Sequence, residues 1–301
     1  MIYSIVDLGS NTIRLCLYEY SNNSLKSILE RKTMAGLANF VKHDKLSQTG
    51  IDRACEILNE YKGILSNFQI TEKDVHVVAT ASLRNIVNTQ EVIHIIKEVT
   101  GFQVELLSGE TEATLDFIGA TKSIDVDSGI VVDIGGGSTE IVVFDNREIQ
   151  LATSMPIGSL NLYVKYVKKI IPKEEERLLM QKVVMDNLEA LEIKPKEYTT
   201  ICGVGGTIRA AGKLNNTIFK LNGNPAEIEV NHISKILDLL KNSKKSTLTP
   251  VLQIIPDRIH TIIPGLIILN TISEYFGCKN IIVSKFGIRE GYLYERILKG
   301  E

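Results

Sequence analysis

The chain has 301 residues, 44% of them hydrophobic and 23% charged, a balance that fits about two globular domains and excludes a largely disordered protein. A formal net charge of −2 offers no global attraction to nucleic acid or to an anionic membrane, so a polyanionic ligand has to be caught by local groups. No apolar stretch is long enough to span a bilayer, the N-terminus is strand-like and lacks signal-peptide features, and Cys16, Cys55, Cys202 and Cys278 form no CxxC pair; together these point to a cytoplasmic protein with reduced thiols and no zinc site.

Residues 2–20 read as a strand hairpin, and a third strand is expected around 25–33. From Ser47, apolar residues at helical spacing, including Ile51, Ala54, Ile57, Leu58, Tyr61 and Leu65, predict an amphipathic helix. VHVVAT at 75–80 is a buried strand, 81–101 is mostly helix ending at Gly101, and FQVELL is another strand. Ser108 suits an N-cap, so Glu110 and Glu112 fall in or near the first turn of the helix that follows. Acids there complement the helix dipole, which does not choose between the two.

The second half repeats this plan. A hairpin at 131–144 leads to a strand near 148–154 and a helical region from about 158 to 191 with a polar interruption. TTICGVGGTIRAAGKL at 199–214 reads as strand, glycine turn and helix. A helix near 231–242, a loop to about 258, an apolar helix around 264–276, the strand NIIVS and a closing helix from Ile288 complete the chain. The five histidines show no paired metal spacing. The apolar C-terminal helices offer a surface for a homodimer.

Three glycine turns carry the chemistry. In VVDIGGGSTEIVVF, Gly135, Gly136 and Gly137 lack Cβ atoms and can turn successive N–H groups toward an anion, with the Ser138 and Thr139 hydroxyls adding donors. Asp133 at the end of the first strand and Glu140 at the start of the second can bind the hard cation that accompanies polyphosphate. IVDLGSNTIRLCLY at 5–18 repeats the pattern, with Asp7 matching Asp133, Gly9 matching Gly135 and a loop read as one residue shorter. The repeat implies a duplicated domain with two phosphate loops facing each other. The third turn, Gly203 to Thr207, presents Gly205, Gly206 and Thr207 at a helix N-terminus, where dipole and spare donors favour an anion.

These segments resemble the exopolyphosphatase and guanosine-pentaphosphate phosphohydrolase family. The resemblance runs along nearly the whole chain: VDLGSNTIRL, ATASLR at 79–84, ELLSGETEATLDFIGA at 105–120, VVDIGGGSTEIVV, GVGGTIRA, IIPGLIIL and IREGYLYE. It implies an α/β protein of two ribonuclease-H-like domains of the actin-like ATPase superfamily with an interdomain cleft, the first at 1–120 joined by the closing helix 288–301, the second at 121–287. It further implies that Glu112 activates water, that Asp133 and Glu140 hold magnesium, or manganese in its place, and that Arg84 lines the phosphate site. The chain departs from the family at Met34-Ala35-Gly36-Leu37, where an Arg-Leu-Gly element is common, and at Ser284-Lys285-Phe286-Gly287. It also lacks the HD-type helical domains of longer members, so weak processivity on long polyphosphate is expected.

The mechanism this implies is hydrolysis of a terminal phosphoanhydride, catalysed by positioning and electrostatics. Ser10, Asn11 and the N–H groups of Gly135 to Ser138 hold the terminal phosphoryl, Gly205, Gly206 and Thr207 hold phosphates further along, and Asp7 acts on the metal directly or through water. Inorganic polyphosphate is the first expected substrate and guanosine pentaphosphate the second. An ATP-dependent kinase or actin-like switch needs an adenosine pocket and is disfavoured by the SGxxEA segment. Retention of Glu112, Asp133 and Glu140 weighs against a non-catalytic alarmone sensor.

Overall fold

The computed structural model describes residues 1–22, 24–193, 198–223, 226–241 and 245–300, and the chain divides into two compact units, Met1–Gly109 and Glu110–Glu301. In the first, β1 (Ile2–Leu8), β2 (Thr12–Ser21) and β3 (Ser24–Met34) form an antiparallel meander, and β6 (Val75–Ala79) and β7 (Val104–Leu106) extend it in parallel on the β1 side. Between these lie a two-residue ladder of β4 (Val41–Lys42) and β5 (Lys45–Leu46), then α1 (Gln48–Ser66); α2 (Ala81–Arg84) and α3 (Thr89–Thr100) follow β6. The apolar stripe of α1 buries Ile51, Ala54, Leu58, Tyr61 and Leu65 against Ile13, Leu15 and Leu17 of the sheet. The Tyr61 hydroxyl donates to the Ile13 carbonyl at 2.7 Å, which satisfies a polar group that would otherwise be costly to bury.

The helix expected over 81–101 is broken between α2 and α3. Asn88 holds the break by exchanging side-chain hydrogen bonds with the backbone of Leu46, at 3.0 and 3.1 Å, and Val87 N–H donates to the Asp44 carbonyl. α3 stops at Gly101, whose φ of +82° is the left-handed cap that glycine adopts without penalty.

The second unit opens with α4 (Gly109–Thr121), which begins directly after Ser108 as the sequence predicts. β8 (Gly129–Ile134), β9 (Thr139–Asp145) and β10 (Glu148–Met155) repeat the antiparallel meander; β11 (Thr200–Val204) and β13 (Asn280–Val283) add the parallel strands, and β12 (Glu227–Glu229) adds an antiparallel edge. The helices are α5 (Ser159–Tyr166), α6 (Glu174–Glu189), α7 (Gly205–Ile218), α8 (Val230–Leu239), α9 (Lys245–Ile254), α10 (Ile262–Tyr275) and α11 (Ile288–Tyr292).

Three features differ from the sequence reading. β12 is too short to carry a strand signal. α9 occupies part of the expected loop, its Pro250 tolerated inside the helix. The closing helix ends at Tyr292 and continues as a π turn and a 3-10 turn. Ile262 through Ser273 of α10 are all buried, so this apolar helix spends its surface in the core of the unit.

Both faces of the second sheet are covered. Ile130, Val132 and Ile134 point into a core built with α6, α7, α8 and α10, while Val131, Val142, Phe144, Cys202 and Val204 pack against Ala113, Phe117 and Ala120 of α4. The rings of Phe117 and Phe144 meet at 5.2 Å. α11 closes on α4 so tightly that a Cβ at Gly291 would run into the Leu115 carbonyl and one at Gly119 into Gly287. The expected boundary at 120 assigned α4 and the closing segment to the first domain; the compact units divide at Gly109, which keeps this packed pair with the second.

Candidate active site

The two hairpins share one geometry. Leu8 pairs with Ile13 and Ile134 with Thr139, and each turn closes by the same backbone bond, Gly9 N–H to Thr12 and Gly135 N–H to Ser138, at 3.1 and 3.0 Å. The expected one-residue difference in loop length is therefore absent, because Thr12 belongs to the turn in the place of Ser138. The Gly135 N–H is consumed in closing its turn, so the donors the second hairpin can offer an anion are those of Gly136, Gly137 and Ser138.

The carbonyls of that turn are tied down on one side. Gly135 C=O accepts from the Ser159 N–H at 2.9 Å and the Ser159 hydroxyl at 3.0 Å, and Gly136 C=O accepts from the N–H groups of Leu160 and Asn161 at 2.9 and 3.0 Å. Gly137 C=O accepts from Asn161 Nδ2 at 3.0 Å. Sequence reasoning passed over residues 158–161; the signal for them was a Gly-Ser helix start directly after a strand. The Thr207 hydroxyl is likewise used internally, donating to Ile134 C=O at 2.8 Å, which leaves its backbone N–H for an anion.

Asp133 and Glu140 are register partners across β8 and β9, and opposed residues of an antiparallel pair project to the same face. By strand alternation with Val131 and Val142, that face is the one covered by α4. Glu140 is buried and its Oε1 accepts from the Ser154 hydroxyl at 2.7 Å. Gly205 opens α7 with a φ of +82°, and a Cβ there would run into the Asp133 carboxylate, so the glycine makes room for the acid. Close by on β11, burial pushes the Cys202 thiol up to about 12, a measure of how apolar this layer of the sheet is.

Glu112 sits in the first turn of α4 and is only 8% exposed. It therefore shares a compact unit with Asp133, Glu140, Gly135 to Ser138 and Gly205 to Thr207, on the helix that covers the face of the two acids. Glu110, two residues earlier and exposed, lies on a different side of the turn. Among the described residues, no three His, Cys, Asp or Glu side chains gather into a metal cage. Two carboxylates on one sheet face are a donor set of the kind a hard cation such as magnesium takes, which binds one or two carboxylates and fills its octahedron with water and phosphate oxygens.

The first unit holds Asp7, Ser10, Asn11 and Arg84. Ser10 C=O accepts from Ala38 N–H, and Asn11 C=O accepts from the N–H groups of Ala35 and Gly36, so the segment that departs from Arg-Leu-Gly pins this turn by its backbone. Asp7 is opposed across the ladder by Arg14, which pairs with Glu30 at 2.7 Å. Arg84 closes α2, and its Nη1 donates to the Leu107 carbonyl at 3.1 Å.

Two sheets of one plan, each with a three-strand meander, parallel strands and an acid before a tethered turn, define an α/β protein built of two similar units. A profile of the Ppx/GppA phosphatase family matches residues 17–300, and the chain belongs to that family. It is 29% identical over 296 residues to a bifunctional 3-dehydroquinate synthase/phosphatase of Fusobacterium nucleatum, covering 93% of this chain but only 44% of that protein. A Haemophilus influenzae protein with a provisional exopolyphosphatase name is 26% identical, over 96% of this chain and 89% of the other. The crystal structure of an Aquifex aeolicus member of the Ppx/GppA family is 28% identical with a TM-score of 0.80, covering 100% of this chain and 99% of that one.

Proposed function

We propose that this chain is an exopolyphosphatase, a phosphoanhydride hydrolase that releases orthophosphate from the end of inorganic polyphosphate. What supports the reading is that two strand-opposed acids, a tethered glycine turn and a buried glutamate belong to one unit, with α4 packed over the sheet face from which the acids project. In this reading the N–H groups of Gly136, Gly137 and Ser138 bind the terminal phosphoryl oxygens, and those of Gly206 and Thr207 bind phosphates further along, where helix dipole and spare donors favour charge. In the first unit, Ser10, Asn11 and the Arg84 guanidinium are the anion-binding candidates.

Glu112 orients a water and takes its proton as the water oxygen bonds to the terminal phosphorus. The bridging P–O bond breaks, and its electron pair leaves with the shortened chain. Asp133 and Glu140 would hold magnesium or manganese, which would neutralise charge on the phosphoryl oxygens. The reaction would take place in the cytoplasm.

The test is phosphate release with magnesium from short polyphosphate, guanosine pentaphosphate and ATP, by wild type and Glu112→Gln. The variant should keep KM and lose about 10²–10⁴-fold in kcat. Near-normal hydrolysis by it would refute the assignment. Faster turnover of guanosine pentaphosphate than of polyphosphate would move the proposal to that substrate, and ATP consumption requiring an added acceptor would move it to a kinase.

A further inference from the structure

We propose that Asn161 is a positioning residue that sets the polarity of the phosphate turn, an inference that rests on the reading above. A trans peptide points its C=O and the following N–H in opposite directions. Three successive carbonyls, of Gly135, Gly136 and Gly137, are held against the start of α5. The next N–H groups, of Gly136, Gly137 and Ser138, therefore face the opposite side of the turn, where a phosphoryl group would be met by three donors in a row. A glycine-rich segment has no side chains to fix that orientation, and each of its peptide planes can rotate at little cost. α5 supplies the constraint.

Within that constraint Asn161 does what no other side chain at its position does. Its Oδ1 accepts from Gly158 N–H at 2.7 Å, while its Nδ2 donates to Gly137 C=O at 3.0 Å and to Pro156 C=O at 3.2 Å. Its own backbone N–H holds Gly136 C=O. Only an amide offers an acceptor and a two-proton donor together on so short a stem. Gly158 lets the two segments meet, because a Cβ there would run into the backbone of Gly136 and Gly137. Ser159 completes the set with a hydroxyl and an N–H on Gly135 C=O.

A capping role and a positioning role make different predictions for two substitutions. Asn161→Asp keeps the acceptor for Gly158 N–H and adds a charge that suits a helix N-terminus, but turns the donor on Gly137 C=O into an acceptor. Asn161→Ala removes both functions without adding charge. If Asn161 only caps α5, Asn161→Asp melts no lower than wild type and both variants bind phosphate normally. If it positions the turn, both variants lose affinity for inorganic phosphate in the presence of magnesium by at least about fivefold, even though Asn161→Asp is the more stable.

The experiment is calorimetric titration of the intact chain with inorganic phosphate, at low and high salt, beside melting curves. High salt screens through-space repulsion from the introduced carboxylate, so a loss of affinity that persists there belongs to the turn. Asn161→Ala within twofold of wild type overturns the proposal, as does a wild type that binds no phosphate. Should either variant fail to fold, Ser159→Ala, which strips one of two donors from Gly135 C=O, is expected to weaken phosphate binding about two- to threefold, and an unchanged affinity overturns the inference. The readout is independent of turnover: a wild type that binds phosphate but cleaves no polyphosphate sinks the proposed function alone.

Discussion

Gly205 offers the sharpest test of how the second unit holds its acids. Replacing it with alanine imposes two separable costs. The backbone at φ +82° is left-handed, which costs an L-residue roughly 1–2 kcal/mol. The new Cβ would also collide with the Asp133 carboxylate, which has to leave its rotamer at a further ~0.5–1.5 kcal/mol. Gly101 is the control, because it has the same φ of +82° at the end of α3 but its added Cβ meets the Glu72 side chain at 3.5 Å and beyond, ordinary contact. Gly101→Ala should therefore cost roughly 1–2 kcal/mol in urea denaturation and leave phosphate release at 25 °C intact. Gly205→Ala should cost about 1.5–3.5 kcal/mol and raise the magnesium concentration needed for half-maximal release about tenfold or more. If the two variants lose the same stability and Gly205→Ala keeps wild-type magnesium dependence, the placement of Asp133 over Gly205 has no part in catalysis.

Asp133→Asn is expected to abolish magnesium-dependent phosphate release, whereas Asp7→Asn should retain measurable turnover at saturating magnesium; equal losses in the two would remove the distinction between the hairpins. Burial pushes the Cys202 and Cys278 thiols up to about 12 from an ordinary 9.0, so the folded protein keeps these protons in a range where the unfolded chain loses them. Their contribution is fully present below pH 9.0 and is lost as pH rises from there toward 12, at roughly 1.4 kcal/mol per thiol per pH unit, which urea melts at pH 8 and pH 10 would reveal.

The fold was legible in the sequence wherever burial imposed a period. The α1 stripe, the paired hairpins, the glycine turn before α7 and the helix after Ser108 all carry their own local signal, and the structure repeats them. What escaped was decided by partners distant in sequence. The break between α2 and α3 depends on Asn88 reaching Leu46, and β12 exists because β13 offers it an edge. The same holds at the candidate site. Asp133, Glu140 and the glycines announced themselves, but that Gly135 spends its N–H on Ser138, that Thr207 spends its hydroxyl on Ile134, and that α5 ties the carbonyls are facts of packing. The choice between Glu110 and Glu112 came from the family motif, and burial of Glu112 beside an exposed Glu110 supplies a physical reason for it.

The two hairpins share one backbone and carry different charges. Asp7 and Asp133 hold the same place in their strands, and both turns close with the same bond, so a cation would find the same scaffold in either. The residue across the ladder decides otherwise. Opposite Asp133 stands Glu140, a second carboxylate on the same face; opposite Asp7 stands Arg14, itself paired with Glu30. A pair of opposed carboxylates offers a divalent cation two oxygen ligands from one face, whereas an acid opposed by a guanidinium offers one beside a positive charge. The same contrast runs through the tethers: α5 holds the second turn with side-chain and backbone donors, while the first is held by backbone N–H groups of Ala35, Gly36 and Ala38. On the proposed function, metal binding is therefore expected of the second hairpin rather than the first, an expectation that rests on Arg14 and Glu140 and not on the glycines that make the two look alike.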